Sequence, residues 1–323
     1  MSLNDEEEED YWEDILSDIQ ERRCTPIIGE AVSHPYIPPS REIASSWAKQ
    51  WGYPLEDSYQ LSRVAQFLAI EKADEVYPKR ALRREVGGIR PPDFSTKEYE
   101  NTAYSVLADL NLPIYITTNY DLFMEAALKQ KGKSPVTEFC RWNKELVYQR
   151  KAGIPLVFEA DEKYAPEPEK PLVYHVYGLY DLRDEYRPEG RNIDLPRSLV
   201  LTEKDYVDFT LTISKEEEEN ILPTCIRDAL SLTSLLVIGY GLDDLSFRVF
   251  FQGVVKTQTK PSGTILSVQL RPTTNNPDQA IKYLRRYTQF MFGDVRVYWG
   301  DPSTFCEELR HRRDNFKKKQ SSI

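Results

Sequence analysis

The stretch LPIYITTNYDLFMEAALKQKG, Leu112 to Gly132, decides the fold. Its apolar run stops at Thr117-Thr118-Asn119-Tyr120-Asp121, and an amphipathic helix begins at once. A strand that passes through a polar turn into a helix is the repeating unit of an α/β sheet. Thr, Asn and Asp are favoured helix N-caps, so capping alone accounts for one of these residues. It does not readily account for four polar residues beside an aromatic, and both readings, cap and ligand site, stay open.

The last third of the chain repeats the unit. Helices near 220–233, 244–255, 278–290 and 302–316 alternate with strands at 234–239, 264–269 and 294–298. Buried-type strands alternating with helices predict a Rossmann-like, mostly parallel sheet with helices on both faces. Towards the N-terminus, Trp12, Ile15, Leu16 and Ile19 keep helical spacing, and Pro26-Ile27-Ile28 reads as a strand closed by Gly29. Prolines 35, 38 and 39 make a loop, and Ser40 suits the N-cap of a helix carrying Ile43, Ala44 and Trp47. Helical patterns then run through about 59–86, which predicts a smaller helical lobe over about 40–95. A helix near 97–110, strands at 113–117 and 172–177, and an irregular insertion over about 132–171 complete a single domain spanning 11–316.

Composition excludes several classes. At 323 residues, with 40% hydrophobic and 29% charged content, the chain builds a globular core. A formal net charge of −10 argues against gripping a phosphate backbone, so no direct nucleic-acid partner is expected. The charge is uneven: 5–10 read DEEEED and 310–319 read RHRRDNFKKK, which predicts an acidic tail over 1–10 and a basic one over 317–323. No apolar leader and no run of roughly 20 apolar residues is present, so a cytoplasmic protein without a membrane partner is expected. Cys24, Cys140, Cys225 and Cys306 are scattered singly, which is neither zinc spacing nor a disulfide framework; no metal is expected.

Ligands of such sheets sit at the carboxyl ends of strands, and four ends carry polar or glycine signals. Gly29 lets backbone approach a phosphate, or is simply a turn glycine. Thr118, Asn119 and Asp121 follow the second strand. His175, in Val173-Tyr174-His175-Val176-Tyr177-Gly178, is either a satisfied core histidine or a proton-transfer group. Gly239-Tyr240-Gly241-Leu242-Asp243-Asp244 suits close approach to a ribose or phosphate, or places carboxylates at a helix N-terminus.

Together, and in this order, these stretches resemble the sirtuin-like family, in particular its bacterial branch of NAD-consuming defence proteins. Ile116-Thr117-Thr118-Asn119-Tyr120-Asp121 is similar to the family's Thr-x-Asn-x-Asp element, and His175-Val176-Tyr177-Gly178 to its His-Gly strand end with two residues inserted or shifted. Leu201-Thr202-Glu203-Lys204-Asp205-Tyr206 resembles the LTEDDY segment of the bacterial branch, and Leu236 to Asp244, continuing to Phe247-Arg248-Val249, is the closest match. The resemblance implies NAD as substrate and no metal. It implies that Asn119 binds the ribose and orients water, that His175 is a base on a ribose hydroxyl or water, and that Asp121 helps hold the nicotinamide end. Ser33, Gly239, Tyr240, Gly241 and Asp244 would lie along the dinucleotide, with Gly29 and Thr118. Thr202 and Asp205 have capping-box spacing and are assigned to structure.

One departure stands out. The family has Gly-Ala-Gly-x-Ser at the first turn, and this chain has Gly29-Glu30-Ala31-Val32-Ser33. Ala31 adds a β-carbon, and Glu30 a negative charge near a pyrophosphate unless its side chain points away. An altered binding pose, a site completed by assembly, and lost turnover all remain open. The expectation is an NAD glycohydrolase of anti-phage defence, held in check by homo-oligomerisation or by an ATPase, an Argonaute-like protein or a phage component. The alternatives are a non-catalytic NAD or ADP-ribose sensor and, more distantly, a protein deacylase.

Overall fold

The computed structural model describes residues 5–143, 146, 157–160, 164–180, 195–214, 221–241, 245–255, 265–269, 274–293 and 295–320. Its strands are β1 (Cys24–Ile28), β2 (Ile114–Thr117), β3 (Val136–Phe139), β4 (Leu172–His175), β5 (Ser234–Tyr240), β6 (Ile265–Gln269) and β7 (Val295–Trp299). They form one seven-stranded sheet in the order β3-β4-β2-β1-β5-β6-β7, parallel throughout. The principal helices are α1 (Asp5–Gln20), α2 (Ser40–Trp51), α3 (Leu61–Glu71), α4 (Tyr77–Val86), α5 (Ala103–Ala108), α6 (Phe123–Gln130), α7 (Glu203–Ile213), α8 (Thr224–Leu232), α9 (Leu245–Val249), α10 (Pro277–Phe292) and α11 (Pro302–Gln320). α9 runs directly into a π-helical segment, Phe250–Val255.

Successive strand residues face opposite sides, and the burial follows that period. Ile27, Ile116, Leu172, Tyr174, Leu235 and Val237 join a core with Phe209 of α7, Ile226 of α8 and Phe247 of α9. Cys24, Ile28, Tyr115, Val173, Leu236 and Ile238 join another with Trp12 of α1, Val106 of α5, Phe123 of α6 and Phe305 of α11. The sheet is therefore covered by helices on both faces, as an all-parallel sheet requires. A third, smaller core forms the helical lobe, where Ile43, Trp47, Val64, Leu68 and Leu82 pack with Tyr180, Leu199 and Leu201. Lys79 of α4 fastens this lobe to α7: its Nζ donates to Asp205 Oδ1 at 2.8 Å, with both side chains buried. Burial holds the Lys79 ammonium below its usual pKa, against the pull of Asp205.

Three sequence expectations change. The irregular insertion contains β3, a four-residue strand paired with β4. Val136-Thr137-Glu138-Phe139 is short and holds a carboxylate, so it carries no strand signal; the buried Glu138 accepts from the amides of Phe139 and Val157, each at 2.8 Å, and pairs with Arg141 at 3.2 Å. The acidic run is expected as a tail, and from Asp5 onward it is the start of α1. Likewise α11 continues to Gln320, so most of the basic end is helical, and 321–323 lie outside the described residues.

Candidate functional site

Strand register brings the four marked ends together. Ile28, Thr117, His175 and Ile238 lie in one row across β1, β2, β4 and β5. One residue further on, the Gly29 amide donates to Ile238 O at 2.8 Å and the Thr118 amide to Ile28 O at 3.0 Å. Strands β2 to β4 lie on one side of β1 and β5 to β7 on the other, which puts the topological switch point between the β1 and β5 ends. Gly239 has φ +86°, and a β-carbon on it would lie 2.9 Å from Gly29 O. One on Gly29 would lie 2.7 Å from Gly239 O. The two glycines let the β1 and β5 ends cross in contact.

Asn119 is the hub. Its Nδ2 donates to Ser33 Oγ at 2.9 Å, Gly29 O at 3.2 Å and Tyr104 OH at 3.3 Å, and its amide donates to Thr117 Oγ1 at 3.0 Å. Ser33 Oγ also donates to Asp121 Oδ2 at 3.0 Å and lies 2.7 Å from Tyr104 OH. Asp121 Oδ1 accepts from the Phe123 amide at 2.9 Å, closing the turn into α6. Asp121 thus satisfies an amide at the helix start with one oxygen and turns the other to Ser33 in the cluster. Burial raises its pKa, opposed by the Phe123 amide, Ser33 and His175. Burial, with Asp121 adding to it, pushes the Tyr104 hydroxyl up.

His175 lies beneath this cluster with no exposed surface. Its Nδ1 is 3.0 Å from Asn119 O and its Nε2 is 2.8 Å from Glu125 Oε1, so both ring nitrogens are engaged. Burial alone would lower its pKa; Glu125, the Asn119 carbonyl and Asp121 outweigh burial and raise it. The expectation was a base within reach of a ribose hydroxyl or water. In this conformation neither nitrogen is open to a ligand, because the strand directs the ring into the interior against α6. Two residues of the cluster escaped sequence reading. Tyr104 sits in a helix whose pattern reads as ordinary core. Glu125, four residues after Asp121, reads as the polar side of an amphipathic helix, yet it is fully buried.

Tyr240 and Thr118 form a neighbouring pair. Tyr240 OH lies 2.9 Å from Thr118 Oγ1 and donates to Ile28 O at 3.2 Å. Its ring covers Gly29: Cε2 would be 2.7 Å from a β-carbon there. Ser33, Thr118, Asn119, Asp121, His175 and Tyr240 are all more than nine-tenths buried. Gly241 is half-buried at the margin, and Asp244 lies outside the described residues.

Glu30 points away from the glycines. Its Oε2 accepts from Ser40 Oγ at 2.7 Å, its Oε1 accepts from the Ser40 amide, and His34 Nε2 is 3.3 Å from Oε1. Ser40 is therefore not the cap of α2 but its first residue, and Glu30 supplies the carboxylate at that N-terminus. Burial would raise the Glu30 pKa; hydrogen bonds from His34 and Ser40 hold it low instead. The one-turn helix Glu30–Val32 is all that follows Gly29, so no long helix presents its amides to a ligand there. The Thr202–Asp205 capping box is formed, with Asp205 N donating to Thr202 Oγ1 at 3.1 Å and Thr202 N to Asp205 Oδ2 at 2.9 Å.

Among the described residues, no group of three or more His, Cys, Asp or Glu side chains is arranged to hold a metal, and no helix is long and apolar enough to cross a membrane. Residues 113–289, just over half of the chain, match the family described as SIR2-like domain. That range holds Asn119, Asp121, His175 and Gly239, but not Gly29 or Ser33. No curated protein matches the chain. A solved structure described as giving the structural basis for the mechanism and regulation of Sir2 enzymes is similar over 98% of this chain and 100% of its own. The identity is 14% and the TM-score 0.41.

Proposed function

The chain belongs to the SIR2-like domain family, and from that premise we propose that it hydrolyses NAD to nicotinamide and ADP-ribose. The bond from ribose C1′ to the pyridinium nitrogen breaks, its electron pair neutralising the ring. Water oxygen then bonds to C1′, and its proton leaves to solvent or a base. The transition state is an oxocarbenium ion, so the site must hold the ribose and aim a water. The observation that carries this reading is the fixation of Asn119. Its Nδ2 is held by Ser33 Oγ and Gly29 O, and its own carbonyl lies against His175. Among the described residues no donor meets its Oδ1, which leaves that oxygen to accept from a hydroxyl or water. Asp121 serves the nicotinamide end, and Ser33, Thr118 and the Gly29–Gly239 crossing line the path of the dinucleotide, with Tyr240 and Gly241 beside it. His175 is the second essential residue.

The assay follows free nicotinamide from purified protein and NAD, with and without phage lysate. Release that falls about 100-fold or more in Asn119→Ala, the scale of losing one transition-state contact, and falls sharply in His175→Ala, supports the reading. No release in either state, or release from both variants equal to that of the wild type, sinks it. As an NAD-depleting effector of anti-phage defence in the cytoplasm, the protein needs restraint, which we assign to homo-oligomerisation or a partner protein. Phage challenge of cells carrying the wild type or Asn119→Ala, with NAD levels followed, tests that role.

One observation favours a second reading, a sensor that binds NAD or ADP-ribose without turning it over. The Tyr240 ring lies over Gly29 and the cluster is closed upon itself. Calorimetric binding of intact NAD with no product on long incubation would select the sensor.

A further inference from the structure

The His175–Glu125 contact is the least expected polar feature of the interior. Both side chains have no exposure and lie 2.8 Å apart. Thr137 of β3 donates its hydroxyl to the same Glu125 oxygen at 3.0 Å, while Glu125 Oε2 is buried with no hydrogen-bond partner. A buried ion pair is a costly way to stabilise a core, since well-packed apolar residues do at least as well. The pair is also joined to the site. Asn119 O can only accept, so Nδ1 of His175 carries a proton and donates it there. Nε2 then meets a carboxylate, and the second proton lies between them.

We propose that Glu125 is a positioning residue: as the carboxylate of a buried ion pair it keeps His175 doubly protonated and aimed at the Asn119 carbonyl, and so sets the direction of the Asn119 amide. Its kinetic consequence rests on the NAD-hydrolysis reading; its structural content does not. His175 then acts through Asn119 rather than by touching the ribose. The charged or titratable groups facing the pair are Asp121 from the turn before α6 and Tyr104 from α5. Asp121 favours the imidazolium, as Glu125 does, and the raised pKa of His175 agrees with that arrangement.

The test uses the full chain labelled with 15N-histidine. Only three histidines exist, so single His34→Gln and His311→Gln variants assign the spectrum. In the wild type, His175 should show both nitrogens protonated at neutral pH and keep that form well above the ordinary midpoint of about 6.5. In Glu125→Gln it should become a neutral ring protonated at Nδ1. Nicotinamide release by that variant should lose about 10- to 100-fold in kcat, as loss of an outer-shell partner typically does, with KM little changed and a shifted pH profile. Ordinary titration of His175 in the wild type overturns the proposal, and so does a folded Glu125→Gln with unchanged kcat and pH profile. Should that variant not fold, the wild-type titration decides alone. The doubly protonated signature in a protein that never releases nicotinamide would support the pair while sinking the NAD-hydrolysis reading.

Discussion

Asp121 separates two roles that a helix-start residue can combine. Its Oδ1 accepts from the Phe123 amide and its Oδ2 from Ser33, in a place where burial already disfavours its charge. Asparagine caps a helix about as well as aspartate, and it carries no charge to bury. Asp121→Asn is therefore expected to keep or raise the melting temperature while nicotinamide release falls; unchanged release would reduce Asp121 to a cap. At this scale the sequence was most informative where a residue type is rare in its setting. Four polar residues closing an apolar strand marked Asn119 and Asp121. Glu125 and Tyr104 carry no such mark, because a glutamate on an amphipathic helix and a tyrosine in a core helix are both ordinary. Only the placement of α6 and α5 against β4 and the first turn turns them into neighbours of Asn119.

Among the elements, the helical lobe depends on two contacts that no local pattern predicts. The first is the carboxylate of Glu30 at the N-terminus of α2. Glu30→Ala is expected to cost about 1 kcal/mol, the usual worth of a cap, measured by denaturant unfolding. Turnover of NAD should be unchanged, because the side chain points away from the Gly29 turn. The second is Lys79 against Asp205, with the ammonium 5.3 Å from the centre of the Trp142 ring. Lys79→Ala leaves a buried carboxylate without its cation and is expected to cost about 3–5 kcal/mol. A loss under about 1 kcal/mol would mean that water replaces the ammonium. The capping box at Thr202 was legible because its four-residue spacing is local. The Lys79 contact was not, because it spans α4 and α7.

For the molecule as a whole, pH and ligand are the natural probes. His175 has a raised pKa in the folded chain, so its share of stability is complete below the unfolded value of about 6.5 and is lost as pH rises through the folded value. The stability difference between wild type and His175→Gln should therefore narrow as pH rises from about 6.5 towards the folded value; a constant difference contradicts the pairing with Glu125. NAD at about 100 times its dissociation constant should stabilise the fold by roughly 2.7 kcal/mol through mass action, read as a shift in melting temperature. Mass measurement should find more than a monomer, alone or with a partner, and a fully active monomer would count against control by assembly. The sequence by itself determined the α/β class and the parallel sheet, and marked four strand ends as candidates, because apolar period and turn chemistry are local properties of a chain. It left Gly29 and Gly239, Asn119 and His175, Glu30 and Ser40 as separate signals. Only the tertiary structure decided that the first two cross, that His175 holds the Asn119 carbonyl through a pair with Glu125, and that Glu30 turns to α2. Each of those outcomes depends on which strands become neighbours in the sheet and which buried group is near enough to satisfy another.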